Sequence, residues 1–165
     1  MAKLKPFRAW RPRPDVCVQV ASPPYDVLSS AEAREMAANN PLSFLHVVKP
    51  EIDLEPGTDV YAPEVYATGA ANLRRLVDDG VLVREEEPAL HLDRHRLGDP
   101  VQTGLVAGAS VAEYEADLLK KHEHPRPVKE DDRTRHIDAL EANTGPVFLT
   151  YKARPEIDAL VERLT

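Results

Sequence analysis

LKKHEHPRPVKEDDRTRHIDALEANTGPVFLTY, residues 119–151, is the stretch from which the fold of the whole chain is read. It holds three histidines, Lys120 and Lys121 side by side, a run of acids followed by arginines, and an apolar end. Pro125 and Pro127 fix φ and lack a backbone N–H, so they force an extended break. Residues 129–140 then read as a helix, with Glu130, Asp131 and Asp132 in its first turn, where the helix dipole favours acids. Four-residue spacing pairs Asp131 with Arg135 and Asp132 with His136. Asn143, Thr144, Gly145 and Pro146 turn the chain into a strand at 147–151, and Pro155 opens a last helix over 156–164. Helix, turn and strand in succession indicate an α+β chain.

Working outward, residues 3–10 and 16–20 read as short strands around a turn at 11–14. In the following loop Pro23 and Pro24 stiffen the backbone and hold Tyr25 and Asp26 at a tip, either as a self-bonded turn or facing a ligand. Ser29 or Ser30 caps a helix that runs through Ala38. The apolar run 43–48 reads as a strand with His46 as a satisfied core or edge residue. Residues 51–58 form a loop. A helix over 61–79 is marked by Val65, Leu73, Leu76 and Val77 and stopped by Gly80. A short strand at 81–83 precedes a hairpin of residues 89–97 and 102–110. His91, Asp93 and His95 share one face of it, read as an exposed polar face rather than a metal trio. Residues 111–119 have a helical pattern.

Hydrophobic residues make up 42% and charged residues 30% of the 165, the balance of a soluble globular domain with a core of Val, Leu and Ala. The net charge of −7 disfavours nucleic acid as a partner. A lone cysteine, Cys17, fits a reducing cytoplasm, and no apolar run approaches the roughly 20 residues that cross a bilayer. The expectation is a single domain over 1–165 with a mixed, partly antiparallel sheet flanked by helices.

Several separated motifs share one resemblance. Lys-Lys-His-Glu at 120–123, Lys-Glu-Asp-Asp-Arg-Thr-Arg-His at 129–136 and Thr-Gly-Pro-Val-Phe-Leu-Thr-Tyr at 144–151 resemble the bacterial and archaeal DUF1015 family. So do Lys-Pro-Phe-Arg-Ala at 5–9, Pro-Pro-Tyr-Asp-Val at 23–27, Asn-Pro-Leu-Ser-Phe-Leu-His at 40–46 and Thr-Gly-Leu-Val-Ala at 103–107. The resemblance spans essentially the whole chain and corresponds to the N-terminal part of longer members. It implies a ParB/sulfiredoxin-like fold and, from the free-serine kinases in that superfamily, a nucleotide-dependent small-molecule kinase with serine as acceptor. The alternative it implies is a non-enzymatic, ParB-like nucleotide-binding or regulatory module.

The central stretch carries the residue types that phosphoryl transfer needs. Lys120, Lys121, Arg133 and Arg135 are candidates for phosphate oxygens of ATP or ADP, the arginines by bidentate contact. Glu123 is the candidate base, with His122 and His136 as alternative acid and base. Asp131 and Asp132 are candidates to assist Mg2+. No Walker-type glycine loop is present, so another arrangement would cradle the nucleotide. The same acids and bases at four-residue spacing also suit a plain exposed helix. His122 and His124, two apart, would share one face of an extended chain, but no cysteine ligand joins them, which disfavours zinc.

Overall fold

The structure, a computed structural model, describes residues 2–96, 98–122 and 126–165. Its strands are β1 (Leu4–Lys5), β2 (Trp10–Pro12), β3 (Leu82–Arg84), β4 (His91–Arg96), β5 (Val101–Val106) and β6 (Gly108–Ala109). Its helices are α1 (Cys17–Val20), α2 (Ser30–Ala37), α3 (Leu45–Val48), α4 (Pro63–Asp78), α5 (Val111–Glu115), α6 (Pro127–Leu140) and α7 (Pro155–Leu164), with 3₁₀ turns at Tyr25–Val27 and Pro50–Asp53. The chain is α+β. Among the described residues the strands form three two-stranded antiparallel ladders, β1–β6, β2–β3 and β4–β5, in place of one mixed sheet. By contacts it divides into two units: Met1–Ala9 with Glu85–His122 and Gly145–Thr165, and Trp10–Arg84 with Glu123–Thr144.

The second unit holds every buried hydrophobic side chain among the described residues. Val20, Val47, Leu76, Val81, Leu82 and Leu140 form one cluster; Ala33, Ala37, Leu45, Val48 and Ile52 form another, and Phe44 lies against both. Full burial of one such Leu contributes about 2 kcal/mol. Local signals set the helices that deliver these residues. Ser29 and Glu32 close a capping box on α2: the Ser29 hydroxyl accepts from the Glu32 N–H at 3.3 Å, and the Glu32 carboxylate accepts from the Ser29 N–H at 2.8 Å. The Ser29 hydroxyl, which also donates to the Glu32 carboxylate at 2.7 Å, and then the Ser29 N–H hold that carboxyl below its ordinary range.

Pro63 starts α4, its missing N–H being no loss in a first turn. Gly80, at φ +65°, ends it: the Gly80 N–H reaches the Val77 carbonyl at 3.0 Å and the Val81 N–H reaches that of Leu76 at 2.9 Å. Val81 and Leu82 thereby turn straight into the core. Midway along α4, Gly69 permits a close approach, since a Cβ there would stand 2.8 Å from Pro50 Cγ and 3.1 Å from the Val47 carbonyl oxygen. Gly69→Ala is therefore expected to destabilise the protein by about 1–2 kcal/mol through overpacking, despite alanine's better helix propensity. A urea midpoint equal to or above that of the wild type would refute the packing argument.

Three expected strands are corrected. Residues 43–48 contain a helix, because the Leu45 N–H bonds the Ser43 hydroxyl and the next N–H groups reach back to Ser43 and Phe44 carbonyls. Leu45, Val47 and Val48 are all buried, and a short run apolar on every side has no period that tells strand from helix. Residues 16–20 likewise wind into α1. Residues 147–151 form no strand among the described residues, and Val147 and Phe148 are 80% and 77% exposed. Strand propensity without a ladder partner does not make a strand.

The first unit is built on antiparallel pairs. The expected hairpin is present as β4–β5, running from His91 opposite Val106 to Arg96 opposite Val101. Residues 3–10 contribute β1, an isolated bridge from Phe7 to Ala89, and lead into β2 of the other unit. The His95 ring contacts Asp93 at 2.7 Å and the His91 ring contacts Glu85 at 3.3 Å. Among the described residues no helix is long and apolar enough to cross a membrane.

Candidate functional site

Residues four apart on a helix share a face, and α6 places Asp132, His136 and Leu140 on its buried one. Leu140 enters the core. The two polar residues must find partners inside the protein. Asp132 Oδ1 accepts from the Tyr66 hydroxyl at 3.0 Å, and Oδ2 accepts from Arg133 Nη2 at 3.0 Å and Nε at 3.3 Å. Tyr66 comes from the buried face of α4. Burial, and then its bond to the Asp132 carboxylate, pushes the Tyr66 phenol up to about 12, so the hydroxyl remains a donor.

Arg133 lies at the edge of this buried pair. Its Cζ stands 4.2 Å from the centre of the Tyr25 ring, within cation–π range. One edge of the guanidinium is held by a carboxylate and one face by an aromatic ring. The side chain is 28% exposed. Among the described residues Nη1 has no hydrogen-bond partner, so donors remain for a ligand. One turn earlier on α6, Lys129 Nζ stands 5.9 Å from the Tyr61 ring.

His136 is 1% exposed. Its Nε2–H donates to the Val47 carbonyl at 2.9 Å, and its Nδ1 has no partner among the described residues. Burial holds the imidazole below its ordinary pKa; the Val47 carbonyl opposes this, Arg133 adds to it, and the Asp132 and Glu51 charges oppose it. The expected Asp132–His136 ion pair is not formed, because each side chain bonds a group on another element. Beyond them, Ser30 Oγ donates to Glu51 Oε1 at 2.7 Å and Lys49 Nζ contacts the same oxygen at 3.0 Å. Arg34 donates to the carbonyls of Glu51, Ile52 and Leu54, which ties the Pro50–Asp53 turn to α2. His46 is satisfied by Asp53 at 2.7 Å and the Asn40 carbonyl at 3.1 Å, and Asn72 braces Asp53.

The expected site residues fall in both units. In the second, Arg135 pairs with Asp131 at 2.7 Å on the exposed side of α6, as four-residue spacing predicts. In the first, Lys120 pairs with Asp117 at 2.7 Å and lowers its carboxyl pKa, Lys121 Nζ stands 4.4 Å over the Tyr114 ring, and His122 is exposed. Glu123, the candidate base, lies outside the described residues, as does His124. For Mg2+, both oxygens of Asp132 are engaged, whereas Asp131 Oδ1 has no partner among the described residues. One carboxylate fits a magnesium ion that takes waters and phosphate oxygens for the rest of its shell. Among the described residues no three His, Cys, Asp or Glu side chains gather as a metal site.

Sequence reasoning missed Tyr66, Lys49 and Glu51. A tyrosine on the apolar face of a helix is itself a signal, since its buried hydroxyl requires a partner. Lys49 and Glu51, flanking Pro50, have no periodic pattern that could have disclosed them.

Residues 4–165 match the model of a family described as "Protein of unknown function (DUF1015)". No curated protein and no solved structure matches the chain.

Proposed function

The chain belongs to the DUF1015 family, and from its own residues we propose a nucleotide-dependent small-molecule kinase, with a phosphate group of ATP or ADP received at Arg133. The observation that carries this reading is the state of Arg133: pinned by Asp132 and Tyr25, partly exposed, and with Nη1 uncommitted among the described residues. A planar fork held in that way is pre-organised for bidentate contact with phosphate oxygens. Lys129, four residues earlier on the same helix, adds a second cation beside it.

In this reading Asp131 holds Mg2+, which supplies neutralisation of phosphate charge when bound. Glu123 is the group proposed to take the proton of the acceptor hydroxyl, and Arg135, on the same helix as Arg133, is a further cation for the donor. Free serine is the acceptor that the superfamily resemblance implies, and the cytoplasm the place. His136 and Asp132 are left out of the chemistry because their bonds point into the protein. A second reading, a ParB-like module that binds nucleotide without turnover, is favoured by the engagement of both candidate Mg2+ carboxylates, Asp131 by Arg135 and Asp132 by Tyr66 and Arg133.

Calorimetric titration with ATP and ADP, with and without Mg2+, tests the site. Arg133→Ala is expected to weaken binding by about tenfold or more, the worth of a hydrogen bond to a charged group. Equal affinity in the variant, or no binding by the wild type, would overturn the assignment. ADP release that depends on serine selects the kinase over the binding module.

A further inference from the structure

We propose that Tyr66 and Asp132 are positioning residues that aim Arg133 at a phosphate group, so that a single phenolic O–H on α4 sets the affinity of the site on α6. The inference rests on the phosphate reading of Arg133 and extends it to residues that touch no ligand.

The argument is geometric. Consecutive helix residues point about 100° apart, since there are about 3.6 per turn. Asp132 therefore faces the interior while Arg133 stands at its border, their side chains 9% and 28% exposed respectively. For Asp132 Oδ2 to hold both Nε and Nη2 of the neighbouring guanidinium, the plane of the carboxylate must be set. Rotation of a carboxylate about its last bond is otherwise broad. The Tyr66 hydroxyl sets it, by donating to the other oxygen at 3.0 Å from a ring that is itself 7% exposed. The guanidinium plane is then closed on one face by Tyr25 at 4.2 Å. With the Nε–Nη2 edge turned to Asp132, the planar fork directs its Nη1–Nη2 end away from the carboxylate. That end is the one a terminal phosphate can bridge with two parallel bonds. The raised phenol pKa keeps the hydroxyl a donor through the physiological range.

Tyr66→Phe tests this, because it keeps the ring and removes one hydrogen bond. ATP titration is made on four chains: wild type, Tyr66→Phe, Arg133→Ala and the double variant. Tyr66→Phe is expected to weaken ATP binding by about three- to tenfold, the range of one hydrogen bond. In the Arg133→Ala background the same change is expected to matter by less than about twofold, since nothing remains to be aimed. A merely structural Tyr66 would lower thermal stability equally in both backgrounds and leave this coupling at zero. If Arg133→Ala binds like the wild type, the site reading fails and this inference with it. If Arg133→Ala loses affinity while folded Tyr66→Phe does not, or loses it equally in both backgrounds, the positioning inference alone is overturned. Should Tyr66→Phe not fold, Asp132→Asn, which keeps the shape and removes the charge that holds Arg133, is held to the same coupling.

Discussion

Asp132→Ala is expected to lower the unfolding free energy by about 3 kcal/mol, read as a drop in the urea midpoint at unchanged slope. The magnitude follows from what the change strands. The Tyr66 hydroxyl, 7% exposed as a residue, loses its acceptor. An unsatisfied buried hydroxyl costs about 1–3 kcal/mol. Arg133 loses its counter-charge, but at 28% exposure it can turn toward solvent, so its share is the smaller one. The small void left by the carboxylate adds to both. The asymmetry of hydrogen-bond energetics gives a sharper check. Removing both partners together, Tyr66→Phe with Asp132→Leu, should destabilise less than Asp132→Ala alone, because no buried hydroxyl is then left unpaired and Arg133 can turn toward solvent in either case. A loss below about 0.5 kcal/mol for Asp132→Ala would mean that the Tyr66–Asp132 bond contributes nothing to the packing of α4 on α6.

How much of this was legible in the sequence is shown by α6. Its existence was, since the acids at 130–132 and the Asp131–Arg135 pair are local signals, but its start was not: Pro127, read as part of an extended break before a helix at 129, occupies the first helical position, where its missing N–H is no loss. Its orientation was not. Spacing placed Asp132 and His136 on one face and read that face as solvated, whereas the fold buries both and leaves Val128 and Ile137 59% and 39% exposed. An amphipathic pattern shows a buried face only when that face is apolar. Here the inward face is made polar by partners that the chain supplies 66 residues away, at Tyr66, and 89 away, at Val47. Nothing local to α6 discloses either partner. The Ser29–Glu32 cap of α2, the Gly80 stop of α4 and the β4–β5 hairpin were readable for the opposite reason, because all of their bonds close within a few residues or across one turn. The strand expected at 43–48 failed at the border between these cases. Its apolar run is short, and burial against both core clusters, not periodicity, decides its conformation.

His136 connects stability to pH, with a sign that its surroundings determine. Replacing it with alanine is expected to cost about 3 kcal/mol at pH 7.5, since the Val47 carbonyl loses its donor and a side chain 1% exposed leaves a void. His136→Gln offers a neutral donor of similar reach and should lose less. Burial lowers the folded-state pKa of His136 below its ordinary value of 6.5, and the Arg133 charge adds to that against the opposing Val47 carbonyl, Asp132 and Glu51. Below pH 6.5 the unfolded chain therefore takes up a proton that the folded chain resists. The contribution is complete above the unfolded pKa and is lost as pH falls from about 6.5 through the lower folded value, at no more than about 1.4 kcal/mol per pH unit. Urea unfolding of wild type and His136→Gln at pH 7.5, 6.5 and 5.5 measures it. The wild type should lose stability faster on acidification, so the gap between the two narrows toward pH 5.5. Parallel profiles would show that the buried imidazole takes up its proton as readily in the folded chain as in the unfolded one, on the Nδ1 that has no partner among the described residues. That state would require a charge beside Arg133 to be held without an acceptor, the arrangement that burial penalises most.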